Sequence, residues 1–194
     1  MPKQREQYSR TPGLALNPAG QVTDTADAFV DSVAVLAQIE FGGQAVVIAG
    51  SDTEYGITSY VKTASNLTLA DVSGPEQGLG LMIPTDIATT TVAGSAYTIV
   101  ATAQDNAGAL SVFHVASDGT LTATDHVLDT RDTRFGAVQV VEVVEYAGMS
   151  FVIAGGGDDG LSLFTLMSDR KLQLLDTLVD TATAGLANVS AIAG

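Results

Sequence analysis

The stretch that decides the fold is VIAGGGDDGLSLF, from Val152 to Phe164. It joins an apolar run to an alternating run through a cluster of glycines and two aspartates. Clusters of glycine and aspartate occur in tight turns, and also in loops that bind phosphate or calcium. Which of these applies depends on whether the stretch stands alone or recurs along the chain.

The stretch recurs. Comparable tracts are VVIAGSDTEYGITSY, TIVATAQDNAGALSVF and FVIAGGGDDGLSLF, at residues 46–60, 98–113 and 151–164. Each has an apolar run, a turn rich in Gly, Asp, Asn or Ala, and an alternating run that closes on an aromatic residue. Ile57, Leu110 and Leu161 correspond, at spacings of 53 and 51 residues. A period of this size is typical of repeat folds such as propellers.

Other landmarks keep the same period. An aspartate recurs in register at Asp71, Asp125 and Asp176, with spacings of 54 and 51 residues. Asp-Thr pairs recur at residues 24–25, 129–130 and 180–181. Aliphatic residues assigned as equivalent near the start of each unit are Val33, Ile87, Val138 and Val189. Several landmarks that share one period establish an internal repeat.

Each unit contains four short β-like runs. In the third unit they span Ala137–Glu145, Ser150–Gly155, Leu161–Leu166 and Lys171–Leu178, with turn signals such as YAGM and SDRK between them. Four antiparallel strands in about 50 residues form the blade of a β-propeller, so the predicted fold class is all-β. The first run of each unit is almost wholly apolar, which predicts an innermost strand buried on both faces.

The propeller interpretation also predicts the structure of the glycine-aspartate cluster. Residues 155–160 fall between the second and third strands of a blade, where the other units have GSDTEYG and TAQDNAGA. Glycine adopts positive φ at little cost, and Asp or Asn side chains bond to nearby backbone in turns. The glycine-aspartate cluster is therefore predicted to be a turn.

The domain prediction has two parts. Residues 1–12 form a disordered or extended tail, and residues 13–194 form a propeller portion of about three and a half blades. Residues 13–27 resemble the end of one blade, and residues 185–194 resemble only the first strand of another. Because such an arc leaves open edges, we predict a portion of a longer propeller with seven or eight blades. Assembly of several copies is the alternative.

Composition excludes several functions. The net charge is −14, which disfavours nucleic acid and anionic membrane surfaces as partners. The chain contains no cysteine, so disulfides, thiolate catalysis and cysteine-ligated zinc are excluded. No apolar run suits a signal peptide or a membrane helix, so membrane insertion is not expected. The protein is predicted to be cytoplasmic or to be exported without an N-terminal signal.

The tract IAGGGDDGLSLFTLMSDRKLQLLDTLVDTATAGLANVSAIA, which begins at Ile153, resembles blades of secreted RTX proteins, the hemolysin-type calcium-binding proteins of marine alphaproteobacteria. More distantly, its strand-turn-strand portion is similar to seven-bladed lactonase-like propellers. The RTX resemblance implies type I export, an extracellular location, and calcium-binding repeats further along a longer chain. The chain departs from both families: tandem calcium nonapeptides are absent, and the histidines and arginines of a lactonase pocket have no counterparts.

Few residues suggest chemistry. His126 follows Asp125, as a general base follows an orienting carboxylate, but neighbours along a strand point to opposite faces. His114 lies on a predicted third strand and is interpreted as a strand residue. Asp158 and Asp159 could contribute to a weak cation site, although calcium requires six to eight oxygen ligands.

The basic cluster RDTR, residues 131–134, is interpreted as a salt-bridged turn, with a contact for an acidic partner as the alternative. No catalytic, cofactor-binding or metal-binding residue is assigned.

The leading functional hypothesis is a non-enzymatic scaffold or recognition module of an exported RTX-type protein. It would bind a protein or a surface glycan on its loops or at the central channel. The alternative is a lactonase-like propeller hydrolase whose site lies partly outside this chain. A component of a particle surface is a third possibility. The innermost runs carry mainly Ala, Val and Thr rather than catalytic side chains, which favours binding.

Overall fold

The computed structural model describes residues 21–75 and 81–193. The predicted tail at residues 1–12, and residues 13–20 of the predicted propeller portion, lie outside this range. Twelve strands follow one another along the described chain. They are β1 (Val33–Phe41), β2 (Gln44–Ser51), β3 (Gly56–Lys62), β4 (Leu67–Ser73), β5 (Pro84–Val92), β6 (Ser95–Gln104), β7 (Ala107–Val115), β8 (Leu121–Leu128), β9 (Val138–Tyr146), β10 (Met149–Gly156), β11 (Gly160–Leu166) and β12 (Leu172–Val179).

The strands form three four-stranded antiparallel sheets, each made of strands consecutive in the chain. We call them blade 1 (β1–β4), blade 2 (β5–β8) and blade 3 (β9–β12). The predicted all-β class and the four-stranded unit are confirmed, and the four strands predicted for the third unit differ from β9–β12 by at most one residue at either end. A ring of seven or eight blades stays a prediction.

Tight turns join the first two strands of every blade. The two turn residues are Gly42-Gly43, Ala93-Gly94 and Ala147-Gly148, and all six have positive φ. Positive φ at both central positions defines the type I′ turn, whose twist matches that of the flanking strands. The sequences FGGQ, VAGS and YAGM therefore fix the pairing of the inner hairpins.

The blades stack like those of a propeller. The first strands lie beside one another, with β5 between β1 and β9, whereas the fourth strands β4 and β8 barely meet. One apolar cluster joins blades 1 and 2 and includes Ile48, Ile57 and Phe113. A second cluster joins blades 2 and 3 and includes Ile99 and Phe164. Blade 2 is therefore covered on both faces.

The prediction that the first strand is buried on both faces is wrong. In β6, the second strand of blade 2, all residues from Ala96 to Thr102 are buried. The first strand of the same blade, β5, is only partly buried, and Leu36 on β1 is 66% exposed. The reason is geometric: an innermost strand borders the open space at the inner edge, while the second and third strands have neighbours on every side.

The assigned equivalence of Ile87 with Val33 and Val138 is also wrong, by three residues. In the sheets, Val33, Pro84 and Val138 hold the same position, each followed by an irregularity in the pairing of the first two strands. The preceding residues share a left-handed backbone, at Ser32, Ile83 and Ala137, and Asn188 adopts it as well. Val189 thus stands where a further first strand begins.

Among the described residues, no helix is long and apolar enough to cross a membrane.

Candidate functional site

The recurring aspartate of the fourth strand joins neighbouring blades. The Asp71 carboxylate accepts a hydrogen bond of 2.8 Å from the backbone N–H of Leu121, in the next blade. The Asp125 carboxylate accepts an equivalent bond of 2.8 Å from the N–H of Leu172. Each donor is the first residue of the following blade's outer strand. The aspartate acts as a latch between the outer edges of consecutive blades.

A β-bulge aims this aspartate at the next blade. The pairing of β3 with β4 shifts next to Asp71, and the pairings of β7 with β8 and β11 with β12 shift at the same place. The extra residues are Ala70, Thr124 and Leu175. A bulge turns the strand locally and redirects the adjacent side chain. Sequence reasoning found the aspartates but missed their role, because a bulge leaves no mark in the alternation.

Other polar groups also connect elements across the blade boundaries. The Asp86 carboxylate on β5 accepts a hydrogen bond of 2.9 Å from the N–H of Val141 on β9. The Ser59 hydroxyl donates to the carbonyl of Gly119 at 2.6 Å, from blade 1 to blade 2. Bonds like these satisfy polar groups at the apolar interfaces between blades.

The linkers that precede the first strands of blades 1 and 3 are held by equivalent hydrogen bonds. The Asp129 carboxylate accepts bonds from the Thr133 hydroxyl at 2.8 Å and from the Phe135 N–H at 3.1 Å. The hydroxyl of Ser162 accepts the N–H of Arg134 at 2.7 Å, and that of Thr58 accepts the N–H of Phe29 at 2.8 Å. The Asp-Thr pairs seen in the sequence therefore mark linker turns.

Residues 157–159, within the glycine-aspartate cluster, form the turn between β10 and β11. Asp159 has a φ of 47°, and Gly156 lies so close to the Ala137 carbonyl that a side chain would overlap it. Asp158 pairs with Arg134 at 3.6 Å, so the RDTR cluster contributes a salt bridge to the β10–β11 turn and not one within its own turn. No group of three or more His, Cys, Asp or Glu side chains that could hold a metal occurs in the described part of the chain.

The two histidines lie apart. The Nδ1 atom of His126 is 2.9 Å from the Ser111 hydroxyl, directly across the β7–β8 pair. Because the Asp125 carboxylate is bonded to Leu172, it does not orient His126. His114 meets Tyr97 edge to face, with ring centroids 5.6 Å apart. Burial lowers the pKa of His114, and the Arg170 guanidinium lowers that pKa further.

The inner edge carries the candidate recognition site. A groove of about 510 Å³ runs between β5 and β9 and reaches residues 190–192. Its lining combines aliphatic side chains with Asp86, Thr89, Glu142 and Ser190. Sequence reasoning expected mainly Ala, Val and Thr here. It missed the groove itself, because the groove exists only when two first strands lie side by side.

Comparisons with known proteins are sparse. No protein-family model and no curated protein matches the chain. The chain is similar to a solved structure of the GH43_1 enzyme from Xanthomonas citri, complexed with xylose, with 10% identity and a TM-score of 0.48. The match covers 76% of this chain and 56% of that enzyme, so this chain spans little more than half of its length. The likeness concerns the fold alone.

Proposed function

We propose that this protein is a non-enzymatic β-propeller scaffold or recognition module that binds a protein or a surface glycan. The observation that carries the proposal is the use of the recurring polar residues. Asp71, Asp125 and Asp129, which recur at fixed repeat positions, spend their carboxylates on bonds that join blades or hold linkers. These bonds join consecutive blades and hold a linker in place, and a frame of this kind presents surfaces.

The surface proposed for recognition is the groove between β5 and β9. It offers the hydroxyl of Thr89, the carboxylate of Glu142 and the hydroxyl of Ser190 beside aliphatic side chains. Hydroxyl and carboxylate groups beside aliphatic side chains suit a sugar ring or a peptide backbone, both of which carry donors on a partly apolar body. A negatively charged ligand is disfavoured because the chain carries a net charge of −14.

The setting proposed for the module is an exported bacterial protein of RTX type, with calcium bound by repeats elsewhere in a longer polypeptide. Two features of the sequence support this setting: its acidity and its lack of cysteine. A location outside the cell follows from the same proposal, and a cytoplasmic location is the alternative.

The second candidate is a lactonase-like hydrolase, and one observation favours it. Ser111 and His126 form a pair at 2.9 Å, the spacing of a nucleophile and its base. Two facts weigh against catalysis at this pair. The Ser111 side chain is fully buried, and Ser162 and Thr58, its counterparts in the other blades, use their hydroxyls to hold linkers.

A glycan array probed with the labelled chain tests the recognition role. We expect one group of neutral glycans to bind, and we expect Glu142→Ala to weaken that binding about tenfold, as loss of a charged hydrogen bond predicts. Thr122→Ala, on the exposed outer strand of blade 2, is the matched control and should leave binding unchanged. Equal loss in both variants, or binding insensitive to Glu142, would remove the groove from the proposal.

A further inference from the structure

Within residues 21–75 and 81–193, the first and last blades each leave one apolar face uncovered. In blade 2, the face toward blade 3 carries Tyr97, Ile99, Leu110 and Val112, which are at most 5% exposed. No further blade in this described range packs on the residues at the same sheet positions in blade 3. They are Phe151, Ile153, Leu161 and Leu163, with Leu178 beside them, and we call this set the leading face. All five are partly or largely exposed, Leu178 by 56%.

The opposite face of blade 1 is open in the same manner. Leu36 occupies the sheet position of Ile87 and Val141, which are 9% and 2% exposed because each packs on the preceding blade. Leu36 itself is 66% exposed. We call the trailing face the set that contains Leu36, Val47 and Leu67; these side chains line a groove of about 300 Å³.

Leading and trailing faces already fit each other twice within this chain. Blade 1 packs its leading face on the trailing face of blade 2, and blade 2 repeats the arrangement with blade 3. One chain therefore displays both halves of an interface that it also contains in closed form. An interface whose two halves differ joins copies head to tail.

We infer that a second copy of this chain covers the leading face, by packing the trailing face of its blade 1 against blade 3. This association goes beyond the proposed recognition of a ligand and does not depend on it.

Asp176 marks the register. It holds the position of Asp71 and Asp125, and within the described residues its only hydrogen bond is from the next N–H, of Thr177, at 2.8 Å. In the assembly, the Asp176 carboxylate receives the N–H of Leu67 of the second copy.

The C-terminal segment competes for the same place. Val189 donates its N–H to the Gly156 carbonyl at 3.0 Å and covers Gly155, where a first strand of a next blade would lie. No strand pairing holds residues 187–193, and most of them are exposed. The β1 strand of the second copy displaces this segment, so the segment limits the strength of association.

Sedimentation velocity over a range of protein concentration tests the inference. Wild type is expected to associate as concentration rises, and more strongly in high salt, because two copies of charge −14 repel each other. Removal of residues 188–194 is expected to strengthen association. A wild-type chain that stays monomeric at every concentration and salt level would overturn the inference, as would weaker association after the removal.

Paired variants test the head-to-tail geometry. Leu36→Glu and Leu178→Glu each spoil one face at a side chain that is already exposed, so both variants should fold. Each alone is expected to associate at least about tenfold more weakly than wild type, and their equimolar mixture is expected to form a one-to-one dimer. Leu128→Glu, at a side chain 60% exposed on the doubly covered blade 2, is the matched control and should behave as wild type. Self-association of Leu36→Glu alone, or weakening by Leu128→Glu, contradicts the geometry.

Discussion

The carboxylate of Asp125 in blade 2 accepts the backbone N–H of Leu172 in blade 3 at 2.8 Å, and this bond ties the outer edges of the two blades. Its counterpart ties blade 1 to blade 2 through Asp71 and Leu121. The apolar clusters draw on the first, second and third strands, and the side chains of Leu121 and Leu172 pack against them. The latch therefore lies at the outer margin of the apolar packing.

Replacing Asp125 should lower the stability of the protein more than replacing Asp176, the aspartate at the same position in blade 3. Asp125→Ala leaves the Leu172 N–H without its acceptor, and we expect the free energy of unfolding to fall by about 1.5–3 kcal/mol, the range for a hydrogen bond to a charged group. Urea denaturation measures this loss. Asp176→Ala, compared at a protein concentration low enough for the chain to be monomeric, is the matched control, since no following blade among the described residues donates to it, and should change the free energy by less than about 0.5 kcal/mol. Equal losses at the two positions would contradict the latch.

Gly108, near the start of β7, lies against the linker that precedes β9. A Cβ on Gly108 would overlap the carbonyl oxygen of Phe135, a backbone atom that cannot move aside cheaply. Gly108→Ala should therefore cost more than about 2 kcal/mol, as overpacking against backbone does. Gly94→Ala is the comparison: its φ of 74° is strained for alanine, but nothing lies within 4 Å of the new methyl, so about 1 kcal/mol is expected. Thermal denaturation ranks the two variants, and the reverse order would count against the packing.

The stability of the protein should fall in mild acid through His114. Its pKa in the folded protein lies below the ordinary value of 6.5, first because of burial and second because of the Arg170 guanidinium. The unfolded chain therefore binds more protons as the pH falls through 6.5, and the free energy of unfolding decreases until the folded pKa is reached. Denaturation at about pH 7.5 and about pH 5.5 measures the decrease. His114→Gln should lose less stability over this interval than wild type, and an equal loss would exclude His114 as the cause.

The Ser111–His126 pair should matter for stability and not for catalysis. Ser111→Ala removes a buried hydroxyl that is bonded to His126, which should cost about 1 kcal/mol. We expect wild type to hydrolyse a simple lactone no faster than Ser111→Ala does, with Thr122→Ala, on the exposed face of the same strand as His126, as the control variant. Lactone hydrolysis that disappears in both Ser111→Ala and His126→Ala would instead support the hydrolase.

The sequence predicts the strands within each blade but not the contacts between blades. The alternation and turn residues around the GGGDDG tract predict β10 and β11 to within one residue, because strand alternation and turn residues are local signals. The error at Ile87 has a physical cause: the extra residues of blade 2 come after its first strand, so Val33 and Pro84 are 51 residues apart whereas Asp71 and Asp125 are 54 residues apart. The burial of β6 and the groove at Thr89 depend on neighbouring blades, which no single repeat encodes.

Each of the twelve strands in the described part of the chain pairs only with strands adjacent in the sequence. Each sheet can therefore complete once its own fifty or so residues are available, since short loops close quickly and no distant partner is awaited. Folding of this kind can proceed vectorially, from one end of the polypeptide to the other, with each finished sheet serving as the template on which the next one settles.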